Sequence, residues 1–418
     1  MPKKKLRIMY LSWFPFYGSG SGTYARYLAK YVNKQHTVAI VAPDDRKLNG
    51  VKLYPLKTPF RVAFTGHPEW PNCKLFADIS HRDILRLHKS ALDSVVDAVE
   101  DFKPDIIHVH HAYPLSWTAR FVKSTYQISY IITVHGSELP TAQKDDRYIA
   151  LTMDALRKAK RIVPNSGYTK DWSAKVFGDE FTRNMSVIPG GVDIEKFKKV
   201  STIKIDKEYN LKGKKVVLFS GKLTKYKGVE YLVKAARKID AEILILGDGS
   251  ERKKLEKIAK DYALTNIRFL GHIKDDTEKL VQLYSRADVL TAPSVWDEPL
   301  GLVILEAMAC ETPVVVTKKG GIPLAVKEGK NGLFVRARQV NDLAEKINTL
   351  LSNDERRIKM ESAALPNCVP PPISINSMCF NIASASAFSW ANSSEKFCME
   401  PFPATNIMCT PSEASNFA

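Results

Sequence analysis

The stretch DEPLGLVILEAMACETPVVVT, residues 297–317, decides the fold of this 418-residue chain. A helical pattern through VILEAMA leads over a short turn into the apolar run VVV, which predicts a strand buried on both faces. Such strands are typical of parallel sheets covered by helices. Further apolar runs surround this stretch between residues 215 and 335: KVVLFSG, AEILILG, NIRFLG, ADVLTAP and GLFV. The second half is therefore predicted to be a doubly wound α/β domain.

The first half repeats the same alternation of strands and helices. Its predicted strands are Leu6–Trp13, Thr37–Ala42, Asp105–His110, Tyr130–His135, Arg161–Pro164 and Ser186–Pro189, and two of its predicted helices are Thr23–Lys34 and Ile84–Phe102. We therefore predict two Rossmann-like domains, 1–192 and 193–362, with a Lys-rich linker over about 193–215. Ligands bind such sheets at the carboxyl ends of the strands, so a cleft between the domains is the candidate active site.

Composition and charge narrow the class of protein. The chain is 44% apolar and 26% charged, as in ordinary globular proteins, and no apolar run is long enough to span a membrane. With 62 Lys and Arg against 45 Asp and Glu the net charge is +17, which favours anionic partners. Arg7 and Pro15 interrupt the apolar start of the chain, so a buried strand fits better than a signal peptide. We expect a cytoplasmic protein, with peripheral contact to an anionic inner membrane face as an alternative.

From Ala363 onward the composition changes abruptly. These residues contain a single basic residue, Lys396, and four cysteines without the paired spacing of a zinc site. Two interpretations stay open: a low-complexity extension or a shifted reading frame after codon 362. We therefore treat 363–418 as an atypical tail outside the functional argument.

Two clusters suit a phosphorylated ligand. Gly20 and Gly22 belong to GSGSG (18–22), which precedes a predicted helix. This loop is interpreted either as a contact for a phosphate group or as a tight turn that binds no ligand. In FSGKLTKYKG, Gly221 ends a strand and Lys222 and Lys227 follow it. Two ammonium groups near a helix N-terminus would hold a diphosphate, whereas the alternative is a solvated Lys-rich loop.

A third cluster combines two acids with a helix N-terminus. Glu298 and Glu306 lie eight residues apart, with Gly301 and Leu302 between them where the helix starts. A carboxylate accepts hydrogen bonds from two hydroxyl groups and so suits a diol. We predict that one acid binds a sugar and the other a ribose, with phosphate at the helix end.

Other chemistry-bearing residues are less specific. His108, His110 and His111 form HVHH and are either metal ligands or, as we favour, residues that line the cleft. Trp70 and Trp117 are predicted in loops, where their rings either stack on acceptor sugars or join the core.

Along residues 5–345 the chain resembles the retaining GT-B glycosyltransferases of family 4, also called glycosyl transferases group 1. The matching segments are the glycine loop 18–22, TVHG (133–136), NSGYT (165–169), VIPGGVD (187–193), SGKLTKYKG (220–228), LGDG (246–249), FLG (269–271), ADVLTAPS (287–294), EPLGLVILEAMAC (298–310) and GG (320–321). The resemblance implies transfer of a hexose from a UDP- or GDP-linked sugar to a sugar or lipid-linked acceptor. It also implies retained anomeric configuration, no metal or other cofactor and no nucleic-acid partner.

The resemblance also implies residue roles. The first domain would bind the acceptor, through loops at 58–80 and 113–117, and the second the donor. The implied catalytic residues are His135, Lys222, Lys227 and Glu298, and the implied donor-binding residues are Gly20, Gly22, Gly221, Gly301, Leu302 and Glu306. Glu298 would hold donor-sugar hydroxyls, Glu306 the ribose, and Lys227 with the Leu302 N–H the diphosphate. Lys222 stands where an arginine is more usual in the family. A lysine keeps the positive charge but cannot bind a phosphate through the two parallel hydrogen bonds that an arginine forms. His135 lies near the reacting centre or is simply packed at a strand end.

Three other functions stay open. Two belong to the same fold: a glycogen- or starch-synthase-like polymerase and a nucleotide-sugar epimerase. The third is a polyanion-binding protein, suggested by the net charge of +19 on residues 1–362, which carry 61 Lys and Arg and 42 Asp and Glu.

Overall fold

The computed structural model describes residues 5–67, 69–70, 72–273 and 277–368, and each half of the chain forms a parallel sheet. The strands of the first half are β1 (Arg7–Leu11), β2 (Thr37–Ala42), β3 (Lys52–Pro55), β4 (Val62–Ala63), β5 (Lys74–Leu75), β6 (Ile106–His110), β7 (Ser129–Val134) and β8 (Arg161–Pro164). Those of the second half are β9 (Val216–Ser220), β10 (Glu242–Leu246), β11 (Ile267–Gly271), β12 (Val289–Ala292), β13 (Val314–Thr317) and β14 (Gly332–Val335).

The two main sheets have the same topology. Their strand orders are β3-β2-β1-β6-β7-β8 and β11-β10-β9-β12-β13-β14, and β4 pairs separately with β5. The direction of strand addition reverses between β1 and β6 and between β9 and β12, which leaves a crevice at the carboxyl ends. The predicted pair of doubly wound domains is confirmed. Their predicted boundary lies between the last helix of the first half and the first helix of the second, and its position stays a prediction.

Helices cover both faces of each sheet. In chain order they are α1 (Gly20–Val32), α2 (His81–Phe102), α3 (Leu115–Tyr126), α4 (Leu139–Ala142), α5 (Ala150–Lys158), α6 (Gly167–Phe177), α7 (Ile203–Tyr209), α8 (Val229–Ala235), α9 (Arg252–Asp261), α10 (Thr277–Arg286), α11 (Leu302–Ala309), α12 (Ile322–Ala325), α13 (Val340–Leu351) and α14 (Asp354–Cys368). In β9, Val216 and Leu218 pack into one apolar cluster and Val217 and Phe219 into another. The continuous apolar runs therefore reflect burial on two faces.

Two helices begin earlier than predicted because serine side chains cap them. The Ser19 hydroxyl accepts a hydrogen bond from the Gly22 N–H at 3.1 Å, so α1 begins at Gly20 rather than at Thr23. Similarly, Ser80 accepts from the Asp83 N–H and α2 begins at His81.

Three further predictions need correction. The predicted strand Ser186–Pro189 does not form; Ser186 and Ile188 donate backbone hydrogen bonds along β8, but no regular ladder is established. Strand β3 was missed because its four residues are at least partly exposed and do not form a continuous apolar run, and β4 and β5 were missed because each has only two residues. Trp117 lies in α3 rather than in a loop, and its indole N–H donates to the Thr152 hydroxyl at 2.9 Å. The segment 113–117 is buried and forms core.

The composition change at Ala363 does not end the helical structure. Helix α14 continues to Cys368 and contacts α11 and α13. The remainder of the predicted tail, 369–418, lies outside the described residues. Within the described part of the chain, no helix is both long and apolar enough to cross a bilayer.

Candidate functional site

A cleft of about 420 Å³ lies between the carboxyl ends of the two sheets. Loops from both halves form its walls because the carboxyl ends of all parallel strands in a sheet share one edge. The first half contributes residues 18–21 after β1, 64–67 after β4 and both His135 and Ser137 after β7. The second half contributes residues 220–222 after β9, 246–248 after β10 and the start of α11.

Both predicted diphosphate lysines reach this cleft, and each already has a protein partner. The Lys222 ammonium donates to the Gly66 carbonyl of the opposite half at 3.0 Å. Burial and, to a smaller extent, the charge of Lys227 lower the pKa of Lys222 to about 8. The Lys227 ammonium lies 2.5 Å from Oε1 of Glu298. Two cations therefore stand at one end of the cleft, held by groups that an anionic ligand can replace.

Glu298 lies behind Lys227 rather than on the cleft wall. Its Oε1 accepts hydrogen bonds from the Lys227 ammonium at 2.5 Å and from the Ser294 hydroxyl at 2.6 Å. Burial opposes ionisation of this carboxyl, but the charge and hydrogen bond of Lys227 hold its pKa below the ordinary value. In the absence of ligand the two predicted catalytic residues therefore pair with each other.

Helix α11 points its N-terminus into the same end of the cleft. Gly301 precedes it with a φ of +79°, a left-handed conformation that suits glycine, and Gly301 and Leu302 both line the wall. Gly221, at the end of β9, lines it as well. The first N–H groups of a helix lack intrahelical partners and carry partial positive charge. With the two lysines they form a site for a diphosphate.

Glu306, one turn further along α11, is on the cleft wall and is 9% exposed. Its Oε2 accepts a hydrogen bond from the Tyr284 hydroxyl at 3.0 Å. Burial raises the pKa of Glu306 to about 7, although Tyr284, Arg26 and Lys196 oppose the rise. The arrangement provides a buried acceptor for hydroxyl groups.

His135 lines the opposite wall, directly after β7. Its ring shares a hydrogen bond with the His110 ring, 3.0 Å between Nε2 of His135 and Nδ1 of His110. Burial places the pKa of His135 well below its ordinary value, with His111, His110 and His108 adding to the effect. The imidazole is thus neutral at pH 7 and can donate or accept one hydrogen bond. Separately, the backbone N–H of His135 donates to Oε1 of the buried Glu138 carboxyl at 3.1 Å.

The HVHH histidines do not line the cleft, so that prediction is wrong. His108, His110 and His111 are fully buried beneath His135, and His108 pairs with the Thr133 hydroxyl at 2.7 Å. Strand β6 is central in its sheet, so its side chains are covered on both faces. Among the described residues, no group of three or more His, Cys, Asp or Glu side chains has the arrangement of a metal site.

The glycine loop divides between the cleft and the core. Gly20 lines the cleft, and a Cβ there would lie 3.6 Å from Cδ1 of Leu302, across from the other half. Gly22 lies off the wall, and a Cβ there would lie 2.0 Å from the Pro15 carbonyl oxygen. Close backbone packing therefore explains the glycine at position 22.

Glycines also mark the contact between the halves. A Cβ on Gly136 would lie 2.8 Å from Cγ of Pro299, and one on Gly190 would lie 2.7 Å from Cδ2 of Leu300. Real Cβ atoms essentially never approach that closely. The loop 298–302 of the second half therefore rests against the first half at positions that lack side chains.

Sequence reasoning missed Tyr284, Gly66 and Ser294. In the sequence, Tyr284 fits the apolar face of a predicted helix, so nothing indicates that its hydroxyl is used. The contact of Gly66 is made by its backbone carbonyl, which every residue has, so the sequence gives no sign of it. Ser294 stands four residues before Glu298, but only the structure shows that the connecting turn brings the two side chains together.

Comparisons with known proteins agree with the division of the chain into two domains. Residues 18–196 match the model of Glycosyltransferase Family 4, and residues 201–365 match that of Glycosyl transferases group 1. An uncharacterized glycosyltransferase of Methanocaldococcus jannaschii is 30% identical over 69% of this chain and 75% of its own length. A D-inositol 3-phosphate glycosyltransferase of Corynebacterium urealyticum is 32% identical over 62% of this chain and 66% of its own.

Solved structures share the fold. The Anabaena protein HepE in complex with UDP-glucose superimposes with a TM-score of 0.72 at 19% identity, over 91% of this chain and all of that one. Sucrose-phosphate synthase from Thermosynechococcus elongatus gives a TM-score of 0.70 at 20% identity, over 92% of this chain and 97% of its own.

Proposed function

Because this chain belongs to the glycosyltransferases that join a family 4 domain to a group 1 domain, we propose that it transfers a hexose from a nucleotide-diphosphate sugar. The donor would be UDP- or GDP-linked, the acceptor a sugar or a lipid-linked sugar, and the anomeric configuration would be retained. The observation that carries the proposal is the meeting of Lys222, Lys227 and the α11 N-terminus at one end of the cleft, beside Glu306.

The electrostatics of the cleft suit departure of a diphosphate. When the bond between the sugar C1 and the diphosphate oxygen breaks, negative charge develops on that oxygen and positive charge on the sugar. The two lysines and the helix N-terminus would stabilise the leaving group, and such fixed charges usually supply the largest catalytic effect. We propose that these groups suffice without a metal ion.

Retention would follow from attack on the face that the diphosphate leaves. The acceptor oxygen would bond to C1 on that face while its proton passes to a diphosphate oxygen, so no enzyme nucleophile is needed. The lining carboxylates within the described residues, Asp248 and Glu306, both belong to the second half. A retaining double displacement needs two carboxylates about 5 Å apart around the sugar. The distribution of acids therefore supports transfer on one face.

The donor class can be tested by thermal unfolding with a panel of UDP- and GDP-sugars. A ligand at about 100 times its dissociation constant adds roughly 2.7 kcal/mol of stability. With the stabilising donor and candidate acceptors, NMR of the product would report the anomeric configuration. An inverted product would refute the mechanism, and failure of every nucleotide-sugar to stabilise the protein would refute the function.

The same experiments separate the alternatives. A polymerase would extend an oligosaccharide repeatedly, and an epimerase would release free sugar without an acceptor. A polyanion-binding protein would bind nucleic acid with an affinity that falls steeply with salt and would ignore nucleotide-sugars.

A further inference from the structure

Tyr284 is the fully buried tyrosine of α10, the helix that contacts both β9 and α11. Its hydroxyl lies 3.0 Å from Oε2 of Glu306 and 3.1 Å from the Ser220 hydroxyl. A phenol has one proton, and a carboxylate is the stronger acceptor, so Tyr284 donates to Glu306 and accepts from Ser220. The result is a directed chain from the end of β9 to the carboxylate of α11.

This chain restricts what Glu306 can do. A carboxylate beside an open cleft has two equivalent oxygens and a side chain free to rotate. Here Oε2 is committed to Tyr284, which leaves Oε1 for a ligand hydroxyl. A ribose hydroxyl bound there finds a carboxylate already oriented, so less conformational entropy is lost on binding.

The same hydrogen bond also favours the charged form of Glu306. Burial raises the pKa of this carboxyl, the Tyr284 hydroxyl and the charges of Arg26 and Lys196 oppose that rise, and the resulting pKa is about 7. Charged groups of other elements act on the carboxyl too, and Tyr27 and Cys310 lie within its electrostatic reach. The charged and titratable groups around Glu306 are Tyr284, Arg26, Lys196, Tyr27 and Cys310.

We propose that Tyr284 is a positioning residue for donor binding, which holds one oxygen of Glu306 so that the other accepts a ribose hydroxyl of the nucleoside diphosphate. This inference rests on the proposed function. Because Tyr284 acts through Glu306 rather than on the reacting atoms, it should affect binding of the nucleotide and leave the transfer step unchanged.

The test uses UDP and GDP as probes, titrated by calorimetry from about pH 5.5 to pH 8.5 with the full chain and with Tyr284→Phe. Loss of a hydrogen bond to a charged group predicts about tenfold weaker binding at pH 7. Affinity of the unsubstituted protein falls as the pH drops through the raised pKa of Glu306. In Tyr284→Phe that fall begins at a higher pH, because burial is no longer opposed by the phenol. Turnover at saturating donor stays within about threefold of the parent value.

Two further variants keep the outcome decisive. In a Glu306→Gln background, Tyr284→Phe should leave the pH profile unchanged, because no carboxyl remains to titrate. Tyr262→Phe, at an exposed position of the same half, controls for the loss of a phenol.

Binding of UDP or GDP to Tyr284→Phe with the parent affinity and pH profile would overturn the inference while the proposed function stands. A profile shift that persists in the Glu306→Gln background would also overturn it. If neither nucleotide binds the parent protein, the inference and the proposed function fail together.

Discussion

Replacing Lys227 by alanine should reduce both stability and transfer, for separable reasons. Its ammonium lies 2.5 Å from Oε1 of Glu298, whose side chain is 8% exposed. At an effective dielectric constant of about 20 the gross attraction is roughly 7 kcal/mol, but desolvation offsets most of it. Breaking a buried pair on one side costs about 3–5 kcal/mol. Because the Lys227 side chain is 27% exposed, we expect the lower end, about 3 kcal/mol.

The stability loss should depend on pH in a defined direction. In the parent protein Lys227 depresses the pKa of Glu298, so the stability of the pair is present at neutral pH and declines as the pH falls through that depressed pKa. Without Lys227, burial dominates and the carboxyl takes up its proton more readily. The difference in unfolding free energy between Lys227→Ala and the parent should therefore shrink as the pH falls from 7 towards about 4.

The catalytic loss should remain when the structural loss is repaired. Lys227→Ala with Glu298→Gln has no unpaired buried charge, and it should recover most of the lost stability. Transfer should stay about 100- to 1,000-fold below the parent, as expected when one group that stabilises a leaving anion is removed. Lys225→Ala is the matched control, because Lys225 is an exposed lysine of the same short turn.

Urea unfolding and initial rates of nucleoside diphosphate release measure the two effects. Transfer by Lys227→Ala within threefold of the parent rate would refute its catalytic assignment. A double variant as unstable as Lys227→Ala would refute the argument from the unpaired carboxylate.

The other predictions concern Glu298, Glu306, the contact between the halves and the tail. Glu298→Gln should mainly lower kcat, because the side chain no longer holds the Lys227 ammonium where the leaving diphosphate develops charge. Glu306→Gln should raise the donor KM about 10- to 150-fold and weaken binding of free nucleoside diphosphate. The opposite pattern in steady-state kinetics would exchange the two roles. Gly136→Ala should lower the thermal midpoint and the rate together, because its φ is +94° and its Cβ would meet Pro299; a parent-like melting curve would contradict this. A chain ended after residue 368 should melt within about 2 °C of the full chain if the tail is dispensable, and a larger drop by calorimetry would show that it contributes to the fold.

Local patterns sufficed to predict all six strands of the second sheet, five of the six strands of the first and the start of α11. The apolar runs of β9 and β13 are buried on both faces, and that burial is what a continuous run reports. Glu306 was predictable because the helical spacing after Gly301 fixes which side of α11 it occupies. These features depend on residues that are close in sequence.

Contacts between distant residues were not predictable in the same way. The partner of Lys227 lies 71 residues away, and the partner of Lys222 is the carbonyl of Gly66, 156 residues away in the other half. A lysine has the same appearance in a sequence whether it faces water, a carboxylate or a backbone oxygen. The buried histidines were misjudged because their polarity suggested exposure, whereas their position in the central strand β6 decides their burial.

The glycines at the contact between the halves determine which domains of related proteins can be combined with this chain. Because Gly136 and Gly190 have no side chains, the side chains of Pro299 and Leu300 pack directly against the main chain of the first half. A hybrid made from the first half of this chain and the second half of a relative should therefore keep side chains of similar shape at positions 299 and 300. Its success should depend on small residues at these two positions and on the loop that carries Pro299. A hybrid that keeps this contact could then combine the acceptor preference of one protein with the donor preference of another, while the other residues that line the cleft differ.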